Sequence, residues 1–351
     1  MSTDSPEPEL LKLPEEYQFS HEYCLFLYDI LVEILRSGEK AQIFSGVTIN
    51  FKDEAQAKEY EDANLQGEAL FDWLDANGFL AEMHLYSLKQ AVVALLSDYL
   101  QFILAALRCA EKGNLTVTFA LLRKPLKENL FMFEWLLSEP VESIKTFRFS
   151  GAEALDKKIR RKNGKLETLK LVNTLIKNKN RFDPELIYKL RFEASESHGF
   201  ERVWNQATHL VTTFEDMETE THNFNFIFSG LEQKHTQWRL LYLRLPMLID
   251  YTIDVVESLI ATFAKRVNED DDPIEMRRLA GMYLWARRFL GEELGFDISV
   301  LQSVSHCDVC KTDSNVEEED MELLYEIGEI PCAKCLMDEL KGKGGDLEGL
   351  L

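Results

Sequence analysis

Several signatures of enzymatic chemistry are missing from this chain. It contains no nucleotide-binding glycine loop, no HExxH motif, no EF-hand calcium loop and no G-x-S-x-G nucleophile elbow. Strand signals are few outside the C-terminal region: the segment Phe224–Phe228 alternates, and Gln42–Asn50 could pair with it or form a small excursion. These absences argue against the enzyme classes that depend on those motifs and against a fold built on a sheet.

The chain also lacks a secretion signal and an uninterrupted apolar span. It opens on an acidic, proline-bearing segment where a signal peptide would be basic and then apolar. The most apolar stretch, Ala91–Ala110, includes Asp98 and Arg108, which are costly to place in lipid. Cysteine is scarce, with 6 in 351 residues, and Cys24 and Cys109 stand alone in helical patterns. We therefore expect a cytoplasmic protein with reduced thiols and no membrane span.

Basic residues are fewer than acidic ones: the chain has 39 Lys and Arg and 61 Asp and Glu, which gives a net charge of −22. Such a balance argues against a general nucleic-acid-binding surface. The segment Asp156–Arg181 reverses it locally, with ten basic residues and two acidic ones. Its candidate RNA- or phosphate-binding residues are Lys157, Lys158, Arg160, Arg161 and Lys162. The alternative is a solvated helical face that pairs with acidic residues of this chain or of another subunit.

Apolar residues recur at helical spacing through most of the sequence. The predicted helices cover His21–Arg36, Phe51–Leu74, Glu82–Lys112, Thr116–Leu137 and Leu231–Val267. Pro125 and Pro246 are expected to bend two of them, and Asp183-Pro184 and Asp272-Pro273 predict two further helix starts. We find no repeat of solenoid period. The predicted fold is all-α, a multi-helix bundle with a small C-terminal zinc-binding module.

The same patterns predict the domain organisation. The expected order is a disordered acidic tail over residues 1–16, a helical bundle over 17–268, a linker and helix over 269–300, a four-cysteine zinc module over 301–340 and a flexible tail over 341–351.

The strongest chemical signal is a pair of C-x-x-C motifs near the C-terminus. Their cysteines are Cys307, Cys310, Cys332 and Cys335. A two-residue gap allows both thiolates of a knuckle to face one ion, and two knuckles complete a tetrahedral zinc shell. Since four thiolates leave no position for water or substrate, we predict structural zinc. Two redox motifs or two disulfides are the alternatives.

The surroundings of the cysteines suggest how the module is built. His306 precedes Cys307 and is interpreted as a rim residue, with a place in the metal shell as the alternative. Leu323–Ile330 is predicted as a small hairpin that turns at Gly328, and the second knuckle leads into a short helical pattern. A knuckle, a hairpin and a knuckle that opens a helix resemble a treble-clef zinc finger.

Two arginine–histidine pairs with the same spacing occur in the middle of the chain. Arg191 precedes His198 by seven positions, and Arg202 precedes His209 by seven. Residues seven apart on a helix share a face, and Gly199 is expected to end any helix that joins the two pairs. Histidine can remove a proton from a ribose 2′-OH while arginine stabilises the charge that develops on the phosphorane.

An arginine followed by a histidine after four to six intervening residues is the hallmark of HEPN domains, and Arg202–His209 has this form. The segment Leu121–Leu130 is also similar to a leucine, arginine and glutamate helix of HEPN-like bacterial proteins. The resemblance covers about residues 82–266. It implies an all-helical homodimer of the kind found in bacterial toxins and phage-defence nucleases, with Arg202 and His209 as catalytic residues.

Two functions are consistent with these features. The first is a zinc-stabilised helical binding or regulatory protein of a bacterial defence or stress system, which engages a protein partner through its zinc module. The alternative is a metal-independent HEPN-type endoribonuclease, or an inactive relative, which acts through Arg202 and His209 and guides RNA along residues 157–181.

Overall fold

The computed structural model describes residues 12–161, 163–179, 181–197, 199–213, 218–219, 221, 224–225, 230–264, 273–290, 307, 309–312, 317–318, 320–328, 330, 332 and 334–335. The chain divides into two compact units, Met1–Lys265 and Arg266–Leu351. The described residues are mostly helical and include no strand. The predicted all-α class is confirmed.

The first unit is a multi-helix bundle. Its α-helices are α1 (Glu15–Lys40), α2 (Glu54–Ala63), α3 (Gly67–Ala76), α4 (Leu80–Glu111), α5 (Leu115–Arg123), α6 (Leu130–Ser138), α7 (Pro140–Phe149), α8 (Gly151–Arg160), α9 (Lys165–Leu175), α10 (Pro184–Phe192), α11 (Phe200–Thr208), α12 (Leu231–Tyr242) and α13 (Leu245–Ala261).

The long helix α4 lies in the core of this unit and contacts α1, α5, α6 and α7. Its apolar stripe includes Val92, Leu96 and Ile103, which are fully buried. By length and composition α4 alone among the described helices could cross a membrane, with a mean hydropathy of 1.6 in its most apolar window. A core helix of a bundle meets the same criterion, so the finding is weak evidence for a membrane protein.

Helix caps explain which predicted boundaries are correct. Gly113 has φ 67°, and the Asn114 amide donates to the Cys109 carbonyl at 2.9 Å, so α4 ends where the sequence predicts. Asp183 Oδ1 accepts from the Glu185 amide at 3.0 Å and begins α10 at Pro184.

Three expectations are wrong in detail. The predicted helix Phe51–Leu74 is two helices, because Asn64 takes a left-handed conformation and ends α2. The helix predicted from Leu231 is interrupted before Pro246, which occupies the first turn of α13. The proposed strand Gln42–Asn50 is a turn followed by irregular chain, and part of Phe224–Phe228 lies outside the described residues.

Pro125 widens its helix. The segment Lys124–Asn129 is π-helical and joins α5 to α6, and the Leu130 amide donates to the Pro125 carbonyl. Proline has no N–H and its ring crowds the carbonyl four residues earlier, so a wider turn relieves the clash. The chain therefore continues in helical form where the sequence predicts a kink.

The second unit contains α14 (Pro273–Leu290) and α15 (Asp320–Ile327), which pack against each other. Arg277 Nε donates to the Tyr325 carbonyl at 2.7 Å, and Arg287 pairs with Glu318 at 2.7 Å. The start of α14 at Pro273 matches the prediction.

The predicted hairpin at Leu323–Ile330 is wrong, because its first five residues belong to α15. Gly328 has φ 77°, and its amide donates to the Leu324 carbonyl at 2.9 Å, so this glycine ends a helix where a hairpin turn was expected. The domain divisions predicted at 268, 300 and 340 fall outside the described residues and stay predictions.

Candidate functional site

The two C-x-x-C motifs bring their four cysteines together. The sulfur atoms of Cys307, Cys310, Cys332 and Cys335 all lie within 4.8 Å of one another, and each side chain is half-buried. Cys307 Sγ is 3.6 Å from Cys335 Sγ, and Cys310 Sγ is 3.5 Å from Cys332 Sγ. Among the described residues no other group of three or more histidine, cysteine or acidic side chains converges in this way. These four cysteines could therefore hold a metal ion.

A tight turn orients the first pair of cysteines. The Lys311 amide donates to the Cys307 carbonyl at 2.7 Å, and the Cys307 amide donates to the Thr312 carbonyl at 3.0 Å. Lys311 has φ 54°, which folds the chain back after Cys310. The second pair follows α15 and ends in a short helical turn at Lys334 and Cys335. His306 lies outside the described residues.

Thr312 also contacts the cysteine cluster, which the C-x-x-C motif alone does not indicate. Its Oγ1 is 2.7 Å from Cys310 Sγ. This hydrogen bond lowers the pKa of the Cys310 thiol to about 6, whereas neighbouring Cys307 raises the pKa of Cys335 to about 12.

Arg202 and His209 occupy different local structures. Arg202 is exposed on α11, whereas His209 follows the last residue of that helix in extended conformation. Arg202 lines an open cleft of about 340 Å³ between α11 and α12, and the cleft's other polar residues are Ser197, Gln206, Gln233, Thr236 and Gln237. The His209 carbonyl accepts from Asn225 Nδ2 at 2.9 Å. The catalytic assignment of this pair stays a prediction.

Arg191 of the competing pair is deeply buried. Its side chain is 0% exposed and pairs at 2.5 Å with Glu134, which is also 0% exposed. Arg191 Nε donates to the Leu126 carbonyl, within the π-helical segment, at 2.7 Å. Because both groups are enclosed in the core, this arginine holds helices together and is not positioned to bind phosphate in solution. His198 lies outside the described residues.

The basic segment is largely paired with acidic neighbours. Its ion pairs are Lys157–Glu153 at 2.7 Å, Lys158–Glu139 at 3.8 Å, Arg160–Asp156 at 2.6 Å and Lys170–Glu185 at 3.1 Å. Arg161 directly follows α8 in extended conformation, and Lys162 lies outside the described residues. Such exposed pairs contribute little to stability, but they favour the interpretation of this face as a solvated, self-neutralised surface.

One lysine of the segment, Lys165, is 2% exposed and belongs to the core. Its Nζ donates to the Ile159 carbonyl at 2.6 Å and lies 4.3 Å and 4.1 Å from the ring centroids of Phe131 and Phe192. Burial, reinforced by the charge of Arg191, lowers the pKa of Lys165 to about 7. Sequence pattern missed this because a lysine within a basic run resembles its exposed neighbours.

This pKa predicts how stability depends on pH. An unfolded lysine has a pKa of about 10.4, so between about pH 7 and pH 10 the unfolded state binds more protons than the folded state. The free energy of unfolding of the native protein, relative to Lys165→Met, should therefore rise by up to about 1.4 kcal/mol per pH unit over that window. Denaturant titrations of both proteins at several pH values measure the difference, with Lys170→Met as the exposed control. A difference that does not change with pH would contradict the assignment.

Comparison with known proteins gives no match to a protein family, to a curated protein or to a solved structure. The HEPN resemblance thus receives no support from a family match, and what the chain shows on its own is a helical protein with a cysteine cluster.

Proposed function

We propose that this protein is a zinc-stabilised helical binding protein whose C-terminal module engages a protein partner. The observation that carries the proposal is the cysteine cluster. Four ligands at about 2.3 Å around a tetrahedral ion are about 3.8 Å apart. The separations of 3.6 Å and 3.5 Å between the two sulfur pairs fit such a shell, and four thiolates favour zinc over hard cations such as magnesium and calcium.

A shell of four cysteines supports a structural role. Bound zinc would join the turn at Cys307–Thr312 to the chain that follows α15, and so would close the second unit around that helix. With no coordination position left for substrate, the ion would supply folding energy and no chemistry. The cysteines must be reduced, and not joined in disulfides, to bind zinc, which supports a cytoplasmic location.

Exposed apolar side chains support a role in binding. Val309, between the first two cysteines, is 85% exposed, and Ile327 at the end of α15 is 50% exposed. An apolar residue at the tip of a rigid turn loses contact with water when a partner covers it, and that burial favours association. The paired charges on the basic segment favour a protein partner over RNA on that face.

A second candidate is the metal-independent endoribonuclease. It is favoured by one observation, the exposed guanidinium of Arg202 in a cleft whose other polar residues are neutral. An arginine in this setting is available to bind a phosphate. His209 would serve as the base, and a homodimer would bring a second pair to the same groove and supply the acid.

One experiment distinguishes the two candidates. Purified protein is incubated with labelled RNA in EDTA, and circular dichroism verifies that folding is retained. The binding-protein proposal predicts no cleavage by the native protein. Cleavage that falls by about a hundredfold or more in His209→Ala would instead establish the nuclease, since general base catalysis contributes about that much. Equal cleavage by the native protein and His209→Ala would show that another residue, or a contaminant, cuts the RNA.

A further inference from the structure

A pocket of about 580 Å³ lies at the end of the bundle where the N-terminal segment crosses α4. The Leu13 amide donates to the Glu111 carbonyl at 3.1 Å and so fixes one wall of the pocket against the last turn of α4. The first turns of α1 form the opposite side, with Gln18, His21 and Glu22 among the lining residues. This volume is within the range of pockets that hold small ligands. We call it the His21 pocket.

A buried histidine lines the pocket. His21 is 7% exposed, and its Nδ1 shares a hydrogen bond of 2.8 Å with the hydroxyl of Tyr242, which is fully buried. Burial lowers the pKa of His21, so the ring is neutral near pH 7. Its Nε2 forms no hydrogen bond with any residue the structure describes. Because His21 lines the pocket, a ligand there can form a hydrogen bond with Nε2.

The rim carries both signs of charge in equal number. Lys12 and Lys112 contribute two ammonium groups, and Glu22 and Glu111 contribute two carboxylates. None of the four forms an ion pair within the part of the chain that the structure describes. Each of the four is exposed, so a ligand can reach them from solvent.

This balance decides the class of ligand. A simple anion would face two carboxylates, and a simple cation would face two ammonium groups, so neither is favoured. A molecule that carries one ammonium and one carboxylate can place each beside its opposite charge. The aliphatic wall at Leu13 and the lysine stems suit a side chain of moderate size. We propose that the His21 pocket binds a free α-amino acid, and that the ammonium or carboxylate group of this ligand also reaches His21 Nε2.

The test begins with calorimetric titration of the full-length protein with each of the proteinogenic L-amino acids. At least one is expected to bind with a Kd of about 1 mM or lower. The N-acetyl and carboxamide derivatives of that amino acid lack one charge each, and both should bind at least about fivefold more weakly. Failure of every free amino acid to bind at about 10 mM would overturn the proposal, as would equal binding of the blocked derivatives.

Variants locate the binding site. Glu111→Gln and Lys112→Gln change exposed side chains and should weaken binding about fivefold each, whereas Glu39→Gln and Lys40→Gln, at the far end of α1, should leave it unchanged. His21→Phe should weaken binding about tenfold or more. Since that variant also removes the partner of Tyr242, its folding is checked by circular dichroism, and the two exposed variants decide the matter if it is unfolded. Unchanged affinity in both Glu111→Gln and Lys112→Gln would place the amino acid elsewhere.

Discussion

Replacement of Cys332 by serine is expected to unfold the C-terminal module and to leave the helical bundle folded. Zinc-finger peptides gain about 10 to 16 kcal/mol from zinc, and most of that folding energy depends on a complete ligand set. In this chain α15 lies between the two cysteine pairs, so it should lose its protection together with the metal. Hydrogen exchange measures the effect: amides of Asp320–Ile327 should exchange much faster, while those of α4 keep their rates.

Cys109→Ser is the matched control for that substitution. Cys109 is a half-buried cysteine of α4 and takes no part in the cluster, so its replacement should leave α15 protected. A Cys332→Ser protein in which α15 exchanges as slowly as in the native protein would contradict a folding role for the cluster.

The second large effect is expected at the buried ion pair of the first unit. Arg191→Met should lower the free energy of unfolding by about 3 to 5 kcal/mol, because it leaves the buried Glu134 side chain without its ion-pair partner. Arg202→Met is the exposed control and should change stability by less than about 0.5 kcal/mol. Denaturant titrations followed by circular dichroism measure both.

A double variant shows whether the loss comes from the unpaired charge. Glu134→Leu combined with Arg191→Met removes both charges, and an apolar replacement of a buried pair is often neutral. We therefore expect the double variant to recover most of the stability that Arg191→Met loses. If the double variant instead loses as much free energy of unfolding as the two single variants together, packing and not charge causes the effect.

The sequence predicts those features whose cause is local. Helical periodicity and caps such as Asp183 and Gly113 depend on neighbouring residues, so most helices were predicted within a few positions. The cysteine cluster was also predictable, because a two-residue gap restricts how a pair of thiols can turn. The structure between the two cysteine pairs was not predictable in this way. Leu323–Ile327 shows a weak apolar alternation that suggests a strand, but the segment is helical and packs against α14.

The features that were missed depend on tertiary contacts. Lys165 stands among exposed basic residues in sequence, yet the rings of Phe131 and Phe192 enclose it. The seven-residue distance from Arg191 to a histidine along the chain suggests a catalytic pair, whereas the structural partner of Arg191, Glu134, is 57 positions away. No periodicity or motif indicates such a pair, since it forms only when α6 and α10 meet in the folded bundle.

The central claim is that four cysteines hold one structural zinc ion. Its most direct test is elemental analysis of protein purified under reducing conditions, with metal content expressed per chain. The account predicts one equivalent of zinc in the native protein and in Cys109→Ser, and a large loss in Cys332→Ser. Native protein with less than about half an equivalent of zinc, or an unchanged zinc content in Cys332→Ser, would contradict it.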